Sequence, residues 1–210
     1  MDVSAIAQIA AEQMADKSSH PWKERGNKYL HGQRVAKLAL TLRKYLFPED
    51  GGGDGILTAA AWFHDICNGE DDHETVGAAL TRKLLAPHCS PRELDQICDI
   101  IAVHDNREAG KTRSALVKLH QDADLLDHFG TLAIWVTFQY TVPHDLTLSD
   151  RVNYMQEAVA TDRRYLSEFH YDISRHIFIE KSTFVKNFTE RFAAESDGEI
   201  WDWDTIIHSI

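Results

Sequence analysis

Apolar side chains recur every three or four residues along nearly the whole chain, whereas the alternating pattern of strands is almost absent. This periodicity predicts helices over residues 2–17, 27–46, 55–68, 74–86, 91–105, 112–128, 130–142, 149–171 and 175–195. Helices without partner strands can bury their apolar faces only against one another. We therefore expect an all-α fold, a helical bundle.

The most apolar stretch, TLAIWVTFQYTV at 131–142, is rich in residues that favour strands. A lone strand in a helical chain would have no partner, so we predict a helix there as well. The chain contains no internal repeat and no linker long enough to divide it, and we expect residues 1–210 to form one domain.

Charge and cysteine content exclude several classes of partner. The formal net charge is −11 and no basic cluster is present, which argues against a nucleic-acid polymer or an anionic membrane. The three cysteines form no CxxC pair, which is typical of a reducing compartment. The amino terminus has no basic start, and 131–142 is too short to span a bilayer. We expect a soluble, unprocessed, cytoplasmic protein.

Ionisable side chains fall on the apolar faces of several predicted helices. His31 lies on the apolar stripe of the second helix and His64 on that of the third, with Asp65 next to it. His73 begins the fourth helix and His104 ends the fifth. A single inward histidine is usually a hydrogen-bonded core residue. Several imidazoles and carboxylates from different helices are satisfied together by one shared cation, and they are typical ligands of divalent transition metals.

The segment LHQDADLLDHFG at 119–130 places Asp122, Asp124 and Asp127 among leucines. A plain core helix avoids this pattern, because buried carboxylates need compensation. Seven further histidines lack a consistent apolar stripe or a paired carboxylate. We interpret His88 as a contact to a helix carboxyl terminus, and assign surface or outer positions to His120, His128, His144, His170, His176 and His208.

Three segments in order, HGQRVAKLA (31–39), AAWFHDI (60–66) and QDADLLD (121–127), resemble the HD-domain superfamily of metal-dependent phosphohydrolases. The resemblance covers about residues 20–130. Two more segments, DHETVGAAL (72–80) and IIAVHDN (100–106), are similar to the branch that holds a second metal.

The resemblance implies a set of ligands and their neighbours. The first metal would be bound by His31, His64, Asp65 and Asp124, and the second by His73, His104 and the bridging Asp65. Asp122 and Asp127 would orient these ligands by hydrogen bonds. The metal would be one or two divalent ions, Mn, Fe, Co, Ni or Zn, with Mg as a further option.

Asn68 departs from the family pattern, because many members carry a lysine three residues after the His-Asp pair. A phosphate contact expected there is therefore missing. The acidic GEDD stretch at 69–72 has two interpretations. Glu70 is a proton acceptor or an outer group of the site, or the stretch is a solvated loop or a helix N-cap at Asp72.

The implied reaction is attack of a metal-activated hydroxide on phosphorus, with Asp65 as the catalytic bridging residue. The substrate would be a nucleotide or another small phosphate ester or anhydride. We predict phosphate contacts from Arg34 and Lys118, and interpret Lys111 and Arg113 as surface charge.

Downstream aromatic residues allow two interpretations each. Phe129, Trp135, Phe138 and Tyr140 either pack in the core or stack a nucleobase. Phe184, Phe188 and Phe192 either pack in the core or form the face of a homodimer. Two other functions also remain open: a di-iron oxygenase of the same superfamily, and a non-catalytic module stabilised by metal.

Overall fold

A computed structural model describes residues 1–107 and 111–209. Its α-helices are α1 Val3–Met14, α2 Asn27–Leu46, α3 Asp54–Phe63, α4 His73–Leu85, α5 Pro91–Ile101, α6 Ala115–Asp127, α7 Thr131–Thr141, α8 Leu148–Thr161, α9 Asp172–Ser196 and α10 Trp203–His208. Short 3-10 helices cover Val142–His144 and Asp162–Glu168. The described ranges contain no strand, which confirms the all-α prediction.

The first predicted helix ends at Met14 instead of residue 17, and two helices near the site also end earlier than their periodicity indicates. The third ends at Phe63 instead of residue 68, and the fifth at Ile101 instead of residue 105. After α3 the turn at residues 64–67 stays buried, and after α5 the buried His104 continues the apolar spacing, so the sequence pattern does not register the end of either helix. His64 and His104 therefore lie in turns that follow helices.

The carboxyl-terminal part also differs in detail. The predicted helix 149–171 is divided into α8 and the 3-10 helix Asp162–Glu168, and α10 was not predicted. The stretch 131–142 is helical over most of its length, as predicted. Within the described residues, no helix is both long and apolar enough to cross a bilayer.

The Ala-rich helix α3 lies between two clusters of buried apolar side chains. Ala59, Ala60 and Phe63 face a cluster with residues of α1, α4 and α5. Leu57 and Ala61 face a second cluster with residues of α2, α6 and α9. Because its side chains are small, α3 is approached closely from both sides.

Gly32 allows the closest of these approaches. A Cβ atom at this position would lie 2.6 Å from the carbonyl oxygen of Ala61, which is well inside van der Waals contact. Only glycine permits α2 to cross α3 at this distance. The crossing brings His31, next to Gly32, against the end of α3, where His64 follows.

Candidate metal centre

One histidine-aspartate group joins three parts of the chain that are far apart in sequence. Nε2 of His31 lies 3.2 Å from Nε2 of His64 and 3.1 Å from Oδ1 of Asp124. Oδ2 of Asp65 lies 3.8 Å from the His31 nitrogen and 3.5 Å from the His64 nitrogen. The structure thus brings together all four residues predicted for the first metal.

A second group shares Asp65 with the first. Ligand atoms of Asp65, His73 and His104 all lie within 4.8 Å of one another. His73 is the first residue of α4, and His104 is in the turn after α5. The predicted bridging position of Asp65 therefore corresponds to its place between the two groups.

Backbone carbonyls fix the orientation of two of these imidazoles. Nδ1 of His64 lies 2.8 Å from the Ala61 carbonyl oxygen, and Nδ1 of His104 lies 2.8 Å from that of Ile101. A carbonyl oxygen only accepts, so each Nδ1 carries the hydrogen. The lone pair is then on Nε2, which faces the site as a metal ligand requires.

A carboxylate orients the third imidazole. Asp127 accepts a hydrogen bond of 2.7 Å from Nδ1 of His31. It also accepts from Nε and Nη2 of Arg34, at 2.9 Å each. Asp127 thus makes the kind of contact predicted for it. Arg34 pairs with this carboxylate and also lines the cavity described below.

The electrostatics of the site favour a cation. Burial opposes protonation of His31, but its hydrogen bonds to Asp124 and Asp127 outweigh this and raise its pKa to about 9. Burial lowers the pKa of His64 to about 4. Burial also disfavours charge on Asp65 and Asp124. Nearby histidines nevertheless hold the pKa of both carboxyl groups below the usual range, and Lys28 adds to this effect at Asp65. Buried anionic oxygens beside neutral imidazole attract a metal ion.

The donor separations also suit a metal. Tetrahedral ligands with bonds of about 2.0–2.1 Å lie about 3.3–3.4 Å apart. The separations between His31, His64 and Asp124 run from 3.1 to 3.6 Å. The Nδ1 hydrogens of both rings are engaged by Asp127 and by the Ala61 carbonyl, so in the neutral rings two Nε2 lone pairs face each other at 3.2 Å, and a shared cation satisfies both. These side chains therefore fit a divalent ion.

Two cavities meet at the centre. One, of about 260 Å³, is lined by residues of both groups, among them His64, Asp65 and His104. The other, of about 240 Å³, is lined by His31 and by residues of α2, α7 and α8. Lys28 and His128 line both cavities.

Asp122 does not have its predicted role. Its carboxylate accepts hydrogen bonds from the backbone N–H groups of His170 and Tyr171, at 2.8 and 3.0 Å. It therefore holds the segment before α9 against α6. Two positions along a helix correspond to a rotation of about 200°, so Asp122 points away from the face that carries Asp124.

Lys118 also lies away from the centre, because six positions before Asp124 place it about 120° around α6. Neither cavity at the centre is lined by Lys118, and its charge acts on His170 instead. Of the two residues predicted to bind phosphate, only Arg34 lies at the site.

The acidic stretch before α4 is solvated. Glu70 is exposed. Asp72 precedes α4 in a left-handed conformation, and its side chain accepts from the Thr75 hydroxyl and makes no capping bond to the backbone. Asp72 thus occupies the predicted N-cap position of α4, without a side-chain bond to the backbone.

Several residues of the centre were missed by sequence reasoning. Arg107 donates to Oδ2 of Asp124 at 3.0 Å, and Lys28 donates to Asp65. The carboxylate of Asp105 lies 3.4 Å from Nε2 of His73 and 3.6 Å from Nε2 of His104. The sequence did contain a signal for Asp105, because His104 and Asp105 repeat the dipeptide formed by His64 and Asp65.

Two histidines assigned to outer positions lie at the centre. His120 is completely buried and its ring centroid is 5.1 Å from that of His64; among residues 1–107 and 111–209, neither of its ring nitrogens has a hydrogen-bond partner. His128 is exposed but approaches Asp124 to 3.6 Å. Their common signal is helical spacing, since residues 120, 124 and 128 follow one another at intervals of four.

Comparison with known proteins accounts for this arrangement. The family model of the HD domain matches residues 29–129, which include every residue of the two groups. The chain contains an HD domain. This match confirms the resemblance drawn from the three sequence segments. HD domains bind divalent metals, and the two groups in this HD domain can hold such ions.

Solved structures with the same fold extend beyond the HD domain itself. A predicted HD superfamily hydrolase from an uncultured Thermotogales bacterium is 23% identical over 91% of each chain, with a TM-score of 0.64. Bacillus subtilis YpgQ, solved in complex with ADP, is 21% identical over 96% of each chain, with a TM-score of 0.66. The Lin1889 protein of Listeria innocua is 21% identical over 94% of this chain and 98% of its own, with a TM-score of 0.63. Among the curated proteins, none matches the sequence.

Proposed function

We propose that this HD-domain protein is a metal-dependent phosphohydrolase that acts on a nucleotide or another small phosphate ester or anhydride. The family match supports an HD-type hydrolase as the general class. One observation carries the proposal. Two groups of potential metal ligands share Asp65, and they adjoin a cavity lined by cationic side chains.

The lining of this cavity supports a phosphorylated substrate. Lys23, Lys28 and Arg34 contribute positive charge in a chain whose net charge is −11. Phosphate groups are recognised by Lys and Arg side chains and by bound metal ions. The local charge therefore selects an anion that the rest of the surface repels.

A nucleotide is supported by the opposite wall of the same cavity. Trp135 of α7 and Tyr154 of α8 line it, and their side chains are 54% and 51% exposed. Exposed rings beside a cationic wall suit a planar base attached to phosphates. The related fold of YpgQ was solved with ADP, which is a ligand of this chemistry.

The chain's own residues would hold the reacting groups in place. The metal, when bound, would lower the pKa of a water molecule to give a hydroxide nucleophile near neutral pH, and would polarise the phosphoryl oxygen. His31, His64, Asp65 and Asp124 would hold the first ion, and His73, His104 and Asp65 the second. Asp127 and Arg34 orient His31, while Arg107 positions Asp124.

The test is a metal and substrate screen of the purified protein. Bound metals are quantified, and release of phosphate or pyrophosphate is measured on a nucleotide panel with Mn, Co, Ni, Fe, Zn and Mg. Asp65→Ala should abolish release. Asp95→Ala, which removes an exposed carboxylate paired with Arg82 on the surface, should leave it unchanged.

Other results would replace the proposal. Release of phosphate that persists at full rate in Asp65→Ala would exclude this site. Oxygen uptake with an as-isolated iron centre and no phosphate release would indicate an oxygenase. A metal-containing protein without turnover on any substrate would indicate a structural role for the ion.

A further inference from the structure

Lys28 occupies the junction between the two cavities of the centre. It lies in the first turn of α2, three residues before His31, and its side chain is 18% exposed. Its ammonium group donates to Oδ2 of Asp65 at 2.5 Å. Asn68 donates to the other oxygen of the same carboxylate, at 3.2 Å.

The oxygen that Lys28 contacts is the one that faces the imidazoles. Oδ2 of Asp65 is the atom 3.5 Å from Nε2 of His64 and 3.8 Å from Nε2 of His31. A divalent ion bound by these nitrogens would bond to this oxygen. The ion and the ammonium group would then be close neighbours of like charge, and they repel each other strongly at this distance.

The other cations of the cavity have different environments. Arg34 is engaged by Asp127 through two parallel hydrogen bonds. Lys23 lies over the ring of Trp22, 4.9 Å from its centroid. It lines the cavity of about 240 Å³, called here the cation-lined cavity, but not the cavity of about 260 Å³. Lys28 alone among these three has as its partner a carboxylate predicted to bind metal.

The charge balance of Lys28 therefore changes when a metal binds. The negative charge of Asp65 is then shared with the ion, and the ammonium group loses most of its attraction to that carboxylate. A phosphoryl group that reaches the metal from the cation-lined cavity brings new negative charge to the same junction. A flexible four-carbon side chain allows the ammonium group to follow it.

We propose that Lys28 binds the phosphoryl group of the substrate and that, before substrate arrives, it competes with the metal for Oδ2 of Asp65. The inference rests on the proposed function. It adds a residue that directly contacts substrate, at a position that neither the family match nor the sequence pattern assigns.

Binding measurements with two simple probes test this inference. Mn²⁺ affinity is measured by calorimetry, and affinity for inorganic phosphate is measured on the Mn-loaded protein. Lys28→Met should tighten Mn²⁺ binding by at least about tenfold, because the competing charge is removed. It should weaken phosphate binding by at least about tenfold, because a charged hydrogen bond is lost.

Two further variants control for charge and folding. Lys37→Met removes a positive charge from an exposed position of the same helix and should leave both affinities within about twofold. Lys28→Arg retains the charge and should keep phosphate affinity within about fivefold of the original protein. Thermal unfolding of each variant shows that it is folded.

The outcomes separate this inference from the function on which it rests. If the original protein binds Mn²⁺ and releases phosphate from nucleotides, but Lys28→Met behaves like Lys37→Met in both titrations, the role of Lys28 is wrong and the phosphohydrolase remains. If the original protein binds no Mn²⁺ or other divalent ion, both proposals are wrong. Weaker Mn²⁺ binding in Lys28→Met would show that Lys28 supports the metal site and would overturn the competition.

Discussion

Two consecutive helices of similar length reverse the usual relation between polarity and burial. Helix α6, Ala115–Asp127, contains three aspartates, a histidine and a lysine, yet ten of its thirteen residues are buried. Helix α7, Thr131–Thr141, contains no charged residue, yet none of its eleven residues is buried. Only His128, Phe129 and Gly130 separate them.

The comparison shows that charged side chains are buried in α6 where other groups compensate their charge. Every aspartate of α6 receives donors: Asp122 from backbone N–H groups, Asp124 from His31 and Arg107, and Asp127 from His31 and Arg34. Helix α7 lines the cavity of about 240 Å³ beside His31 and a further cavity bordered by His128 and α8. Its apolar side chains are therefore accessible to a ligand. One helix builds the site, and the other shapes the space in front of it.

Removal of the central carboxylate of α6 should give the largest effect. Asp124→Ala removes the buried carboxylate that Arg107 and the buried His31 both contact, and breaking a buried pair costs about 3–5 kcal/mol. Urea denaturation measures this loss, and phosphate release should fall to background. A variant with unchanged unfolding free energy would show that α6 does not depend on charge compensation.

Metal binding should stabilise the protein, and this stabilisation should depend on the carboxylate of α6 and not on the packing of α7. An ion at a concentration of about 100 Kd adds about 2.7 kcal/mol to the free energy of unfolding. Differential scanning calorimetry with Mn²⁺ and with a chelator measures the shift. We expect it to disappear in Asp124→Ala and to persist in Phe138→Ala on α7; an equal shift in both variants would place the ion elsewhere.

Asp122→Ala separates structural from metal-binding carboxylates within α6. The N–H groups of His170 and Tyr171 lose their acceptor, and we expect a loss of about 1–3 kcal/mol. Mn²⁺ affinity, measured by calorimetry, should remain that of the original protein. A large loss of metal affinity would restore the role predicted from sequence.

Phe138→Ala measures how much α7 contributes by packing. Its ring contacts Phe188 and Phe192 edge-to-face, with centroids 6.4 and 5.5 Å apart, and it is only half-buried. We expect a loss of about 1–2 kcal/mol by urea denaturation, below the value of about 3–5 kcal/mol for a completely buried Phe. A loss as large as that of Asp124→Ala would remove the contrast between the helices.

Trp135→Ala should have the smallest effect on stability. The side chain is 54% exposed, so the free energy of unfolding should change by less than about 0.5 kcal/mol. If the ring stacks a base, KM for a nucleotide should rise severalfold while KM for a phosphate ester without a base stays the same. Equal KM changes for both substrates would exclude a base-stacking role.

Sequence patterns predicted the parts of this site that depend on local spacing. His31 and His64 were recognisable because each lies on an apolar helical stripe, and Asp124 because its segment resembles the last motif of the HD family. The structure brings the three within hydrogen-bonding range. The residues that were missed or misplaced depend on rotation around a helix or on distant contacts. Lys28 lies in α2, whereas its partner Asp65 follows α3, and no spacing rule connects the two.

The sequence by itself determined the helical class and the run of ligand types, because helical periodicity and side-chain chemistry are local properties. The HD domain was recognised from the resemblance of three segments to a known family, and the family model matches it. The tertiary structure alone decided that Asp122 faces away from the centre, that Lys28 and Arg107 bring positive charge to it, and that apolar α7 stays accessible. These depend on how close α2 passes to α3 at Gly32 and on where distant donors meet each carboxylate. Compensation of a buried charge is a property of contacts between segments, and no single segment encodes it.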